Sequence, residues 1–573
     1  MSGSAGDWLG GEASDTCSPA FSGWLDQFFA AYYRYRPVNA TFVGVHAYDD
    51  RLPDCSEQGM AAVLGDAQTQ LELLEALPAE ELSAAEALDR QLARGFVEIQ
   101  CWESRSAQFG FPLANPSLVT GEAVFGLLGL LLRAFAPVEQ RLEVAAARLS
   151  AVPALLDGAL SNLRPAPLAW VERARRECAG ARRLLDGGID TLLHETGIEH
   201  DRLRRVARSA SEAFARFDAY LERELLPRAT DDYACGGEAF DLLLRRAHFV
   251  DVDADELERF ALDALAAAES ASTAGVLAPG AGSLDARLDA ARQGIAAGPP
   301  RVPRPYLATA ERCAELWHAS LRLAEDADLL TFPDWPVKFV EQPRWVREAA
   351  PALYFLPYRA PAPFDPTPVT ECFVPEQADE STIKLNYVLH HASLGHHAQN
   401  WFAARAESRI GRVAAVDCAS RIAMLCGGSM AEGWACYAVD LARDAGFLTR
   451  AEIAEHERTR LRIAARAVVD IRLHQGRFSL EQATDFYRQQ AGLSRPAAQA
   501  EAIKNSLFPG AACMYMVGWD GLWRLRRETQ AREGGAFSLR AFHDRVLSFG
   551  SVPVTLIAQA MRASGKFAVH AHR

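Results

Sequence analysis

Four of the fourteen histidines fall within eight residues, His390-His391-Ala392-Ser393-Leu394-Gly395-His396-His397, and no other stretch of the chain is comparably rich in imidazole. Neutral imidazole is the commonest metal ligand among side chains, so the spacing points to a metal or catalytic centre. A solvated helix surface or a hydrogen-bonded knot of histidines would use the same residues. Geometry sets a condition on the metal reading. On a regular helix His390 and His397 share a face but lie about two turns, roughly 10 Å, apart, while His390 and His396 point to different faces. Zinc bonds to nitrogen at about 2.0–2.1 Å, so neither pair grips one ion unless the helix is kinked or bulged between them. Gly395 is where such a distortion is tolerated.

The surrounding elements must position that cluster. Ser381-Thr382 reads as an N-cap, after which Leu385, Val388, Leu389 and the histidines continue as a helix to about Glu407. Before it, prolines alternate with β-prone runs at Val337–Val340, Ala352–Leu356 and Glu371–Val374. These predict a small antiparallel sheet whose exposed edge could hold an extended peptide. From Phe21 to about Thr273 amphipathic helical patterns succeed one another, among them Phe21/Trp24/Leu25/Phe28/Phe29/Tyr32 and Leu142/Val144/Ala145/Leu149. Those stripes read as core.

Ala, Leu, Arg and Glu dominate long stretches, and the predicted class is mainly α. Residues 1–18, rich in Gly, Ser and Asp, read as a disordered tail, and 19–573 as one domain, with 19–273 and 306–573 as its two potential lobes. The Gly- and Pro-punctuated stretch 275–305, around a short helix at 284–294, forms the boundary.

With 60 basic against 74 acidic residues the net charge is -14, which argues against a general nucleic-acid partner. The longest apolar run, Ala123–Leu132, is far short of the roughly 20 residues that a membrane helix needs, and Met1–Asp7 lacks the basic and apolar regions of a secretory signal. Eleven cysteines, an odd number with no CxxC pair, suit free buried thiols in a reducing cytoplasm. Gly427-Gly428-Ser429-Met430-Ala431 is a poor match to the serine nucleophile elbow, lacking its last Gly and a preceding strand.

At five places the chain resembles a bacterial family known as the domain of unknown function 885, grouped with the zinc metallopeptidases that carry HExxH-type helices. The family pattern His-Glu-x-x-Pro-Gly-His-His-x-Gln stands here as His390 to Gln399, and Glu-Gly-Trp-Ala-x-Tyr as Glu432 to Tyr437. Arg-x-x-x-Asp-x-x-x-His stands as Arg466, Asp470 and His474. A C-terminal run follows, with Pro509-Gly510, Tyr515, Gly518, Leu525-Arg526, Phe542-His543 and Gly550–Pro553, and Pro37–Gly44 matches the opening helix.

The resemblance implies a large helical metallopeptidase-like fold enclosing a cleft, and a zinc cofactor held by His390, His396 and Glu432, with His397 as an alternative ligand or a residue orienting one. It implies hydrolysis of peptide or other amide bonds by metal-activated water. His474, oriented by Asp470 one turn away, or Tyr515 would then donate to the developing oxyanion. Where the family has the Glu that serves as general base, this chain has His391, and Leu394, Lys504, Asn505 and Ala511 also depart from the pattern. The expectation is therefore a peptidase-like protein with impaired or altered activity; the alternative is an inactive binding or scaffold protein that keeps the fold. Its partner would be a peptide or amide-containing small molecule, with no nucleic acid or membrane involved.

Overall fold

The structure is a computed structural model, and it describes residues 18–78, 82–106, 115–275, 306–353, 358–376, 378–414 and 427–563. Residues 1–17 of the expected tail, the boundary segment 276–305 on which the short helix at 284–294 is expected, and residues 354–357 lie outside the described residues. Helices dominate, as the composition predicts.

The aromatic stripe of the first helix, Pro19–Tyr35, is buried, with Phe21, Leu25, Phe29 and Tyr33 almost wholly out of solvent. It belongs to the largest core, which also contains Met430, Trp434, Val468, Trp519 and Met561. A second core, built on Leu142, Leu149, Phe214 and Phe217, extends from Val38 to Leu353. The cores thus do not divide at residues 273–306, because the first helix packs into the core of the second half. The apolar run 123–132 forms most of the helix Pro116–Leu132 and is buried on nearly all sides. No helix among the described residues is long and apolar enough to cross a membrane.

Three strands form one small sheet in the order β1-β3-β2: β1 Val337–Glu341, β2 Tyr358–Arg359 and β3 Thr370–Val374. β2 pairs antiparallel with β3, but β1 pairs parallel with it, Val337 opposite Thr370 and Glu341 opposite Val374. The sheet is mixed, which corrects the wholly antiparallel expectation. The connection 342–369 is long enough for the crossover that a parallel pair requires. Ala352 and Leu353, predicted to open a strand, lie in a turn. The sheet packs on the helices Tyr306–Asp326 and Thr382–Ala392 through Cys313, Leu316, Val374, Ile383 and Val388.

Two long helices meet at glycines. A Cβ on Gly433, in Gly428–Asp444, would lie 2.5 Å from the Gly518 Cα, and one on Gly518, in Cys513–Glu533, 1.8 Å from the Ser429 carbonyl oxygen. Only glycine at both positions permits this approach, and it fixes the height of Glu432, the residue before Gly433.

Candidate metal centre

The histidine segment is not one regular helix. Thr382–Ala392 is wound as a π-helix, Ser393 and Gly395 leave helical conformation (φ -128°, ψ -102° and φ -82°, ψ -119°), and a new helix runs from His396 to Ala403. π-Helical turns recur at functional sites, where they displace side chains from regular helical positions. The start is capped by Asp379, which accepts from the Thr382 backbone N–H and hydroxyl, both at 2.8 Å, and not by the Ser381-Thr382 pair as expected.

Several contacts hold the break. The Gly395 N–H donates to the Leu389 carbonyl (2.9 Å), the Trp317 indole to the Ala392 carbonyl (2.9 Å), and the Trp434 indole to the Leu394 carbonyl (2.8 Å). A Cβ on Gly395 would sit 2.0 Å from the His390 carbonyl oxygen, so the fold-back requires glycine. Lys384 ties the segment to the helix Arg450–His474, bonding Glu452 at 2.9 Å and the Phe447 carbonyl at 2.6 Å. Glu452 also belongs to a capping box with Thr449, the pattern that starts that helix.

Because of the break, His390 and His396 turn toward one point. Their Nε2 atoms lie 3.5 and 3.6 Å from Glu432 Oε2, with ring centroids 4.8 Å apart and planes perpendicular. His391 joins them. One ring nitrogen from each of His390, His391 and His396 can be chosen so that all three lie within 4.8 Å of one another. The Nδ1–H of His391 donates to the Asn386 carbonyl (2.7 Å), which leaves Nε2 as its lone-pair nitrogen. Tyr358 on β2 covers the group, its ring centroid 4.9 Å from that of His391 and 5.6 Å from that of His396.

The protonation states suit a cation. Burial alone would raise the Glu432 carboxyl, but the charge and hydrogen bonds of His396 and His390 outweigh it and hold the group well below the usual carboxylate range. Burial lowers His390, with the Glu432 bond offsetting only part of the effect. Burial, then His390 and His396, press His391 far below its ordinary value. An ionised Glu432 carboxylate and neutral imidazoles at His390 and His391 are the states in which these groups bind metal. A tetrahedral zinc with bonds of about 2.0–2.1 Å separates its ligand atoms by roughly 3.4 Å. The two histidine-to-glutamate distances are close to that figure, so the donor set fits.

Other expected site residues are placed differently. His397 is fully buried and turns to the sheet, its Nδ1 2.9 Å from the Thr370 hydroxyl, and burial lowers it to about 3. His396, not His397, faces Glu432. His474 is fully buried away from the cluster, its ring nitrogens 3.1 and 2.9 Å from the carbonyls of Tyr233 and Asn505; burial lowers it to about 4. Asp470 accepts from the backbone N–H groups of Gly510, Ala512 and Cys513, at 3.1, 2.9 and 3.2 Å. Burial exceeds the effect of those bonds and raises Asp470 to about 7. Together the two shape the turn at 508–513, a structural task. Ser429 is buried in the first turn of its helix.

His390, His391 and Glu432 open on a cavity of about 460 Å³. Tyr515 lines it, its ring 5.2 Å beneath the Arg466 guanidinium. One face of the helix Arg450–His474 forms the far wall with Glu455, His456, Thr459, Arg462 and Arg466. Their spacing of four, seven and eleven residues is a helical stripe, visible in the sequence although it was not singled out there. Tyr358 and Asn386 had no such signal.

The family of bacterial proteins of unknown function DUF885 matches residues 37–561. The chain belongs to that family. Among solved structures, it is similar to a candidate lipoprotein of unknown function from Shewanella oneidensis, at 20% identity, covering 95% of this chain and 100% of that one, with a TM-score of 0.72. It is also similar to a candidate lipoprotein from Colwellia psychrerythraea, at 17% identity, covering 96% and 99%, with a TM-score of 0.76. These likenesses establish a fold common to the three chains. No curated protein matches the chain.

Proposed function

We propose that this DUF885 protein is a zinc-dependent, metallopeptidase-like hydrolase of peptide or other small amide bonds, with His391 at the position of the general-base glutamate. The observation that carries the reading is the convergence of His390 and His396 on Glu432, their Nε2 atoms 3.5 and 3.6 Å from its Oε2, beside a cavity that His390 and Glu432 line and that is large enough for a small substrate.

His390, His396 and Glu432 would hold the ion, which when bound supplies Lewis acidity toward an amide carbonyl and its attacking water. His391 keeps a lone pair on Nε2 because the Asn386 carbonyl occupies its Nδ1–H, so it can accept a proton from water and pass it to the departing amine. Imidazole reaches differently from a carboxylate and is pressed toward its neutral form by its neighbours, so turnover is expected to be slow. Tyr515, in the cavity wall, remains the candidate donor to the oxyanion; His474, held between two backbone carbonyls, does not. Seven of the eight described cysteines are buried, which suits the cytoplasmic setting expected from the sequence.

A second reading rests on the closeness of His391 to His390 and His396. If all three imidazoles and Glu432 bind the ion, four protein donors close the tetrahedron and the protein binds without turning substrate over. Zinc content of protein purified without a histidine tag tests the shared premise, with close to one ion per chain expected. X-ray absorption then counts imidazoles: two, with zinc-dependent cleavage of a peptide library, support the hydrolase, and three without cleavage support the closed site. Absence of metal after zinc is supplied overturns both.

A further inference from the structure

The cavity contains a cation that the metal chemistry does not use. Arg462 lies on its wall, and its Nε is buried with no hydrogen-bond partner among the described residues. Its Nη2 donates a long bond to the Thr459 hydroxyl, at 3.4 Å. The carboxylates nearby are engaged elsewhere. Glu501 takes both donors of Arg466, at 2.8 and 2.6 Å, and Glu455 is paired with Arg458. Arg173, the next guanidinium along the wall, bonds Glu177 at 2.8 Å.

Arg462 is half-buried on the cavity wall, the carboxylates near it serve other arginines, and its fork of donors matches an incoming carboxylate in bidentate geometry. Arg462 lines the same cavity as His390, His391 and Glu432, so an anion held by its guanidinium lies in the space onto which the metal centre opens.

We infer that Arg462 receives the free α-carboxylate of the substrate, so the cavity takes small peptides or N-acyl amino acids that end in a free carboxylate. The inference rests on the hydrolase reading for the class of substrate, but carboxylate recognition itself requires no metal.

The test is calorimetric binding of N-acetyl-Ala-Ala, with a free carboxylate or a terminal amide, to chelator-treated and zinc-loaded full-length protein. Metal-free wild type is expected to bind the acid at least tenfold tighter than the amide. Arg462→Met should abolish the preference and Arg462→Lys should keep part of it. Methionine preserves much of the stem of this half-buried side chain, so the melting temperature of Arg462→Met should change little; if that variant does not fold, the wild-type comparison decides alone. Equal affinity for acid and amide, no detectable binding of either, or a preference retained in Arg462→Met overturns the inference. An acid preference in a protein that takes up no zinc upholds the carboxylate site and defeats the hydrolase reading.

Discussion

Gly395→Ala is the sharpest single perturbation of the centre. An alanine Cβ at this position would lie 2.0 Å from the His390 carbonyl oxygen, 2.6 Å from its carbon and 2.8 Å from the Leu389 oxygen. Ordinary contact begins at about 3.4 Å, so the two arms of the break must separate by roughly 1.4 Å. A zinc site holds its ligand distances to within about 0.2 Å, and the arms carry His390 and His396 respectively. The variant should therefore lose one imidazole. Changes that merely misorient a ligand cost about 10–100-fold in metal affinity, so losing a ligand should cost at least 100-fold, or about 2.7 kcal/mol. Overpacking should also destabilise the metal-free protein by about 1–3 kcal/mol. Competition with a fluorescent chelator measures the first effect and denaturant unfolding of apo-protein the second. Gly187→Ala, where a Cβ meets nothing within 4 Å, is the control and should change neither. If Gly395→Ala binds zinc within threefold of wild type, the claim that the close approach at this glycine brings the ligands together is wrong.

Glu432→Gln keeps the side-chain shape but removes the charge, and elemental analysis should find the zinc largely gone while circular dichroism shows the fold retained. His391→Glu supplies a carboxylate for proton transfer, a contribution typically worth 10²–10⁴-fold, and should raise zinc-dependent peptide cleavage at least tenfold; no gain, with metal still bound, would remove this position from the mechanism. Trp434→Phe deletes the bond to the Leu394 carbonyl and leaves that group buried, so chemical denaturation should report a loss of about 1–3 kcal/mol. His46 reports on pH: burial alone would lower it, but its bonds to Asp365 (3.0 Å) and Asp49 (2.7 Å) outweigh this and lift it to about 9. A raised folded value makes its stabilisation complete below about pH 6.5 and lost as pH climbs toward 9. The full shift corresponds to roughly 3 kcal/mol, less after allowance for solvent screening of a partly exposed ring. His46→Asn should flatten the stability profile between pH 6.5 and 9, and an unchanged profile would refute the assignment.

Much of the molecule was legible in its residues. The helical class follows from composition, and the buried stripes of Pro19–Tyr35 and Val138–Ser150 follow from apolar periodicity. The requirement for a distortion near Leu394-Gly395 follows from helix geometry alone, since side chains six residues apart on a regular helix face different ways. These are local properties, fixed by spacing along the chain. Strand direction is not local: β1 and β3 run parallel because a long connection carries the chain back over the sheet, and no pattern within either strand encodes this. The paired motif Asp470 and His474 has the spacing of a catalytic pair, yet packing buries it beneath the 508–513 turn, where three backbone N–H groups use the carboxylate. Choosing between His396 and His397 likewise needed Thr370 on one side and Glu432 on the other, both remote in sequence. The sequence by itself determined which residues could bind a metal and that their helix had to break. The tertiary structure decided which of them meet, because convergence depends on distant segments: the Trp434 indole at the break, and the Gly433–Gly518 contact that sets the height of Glu432.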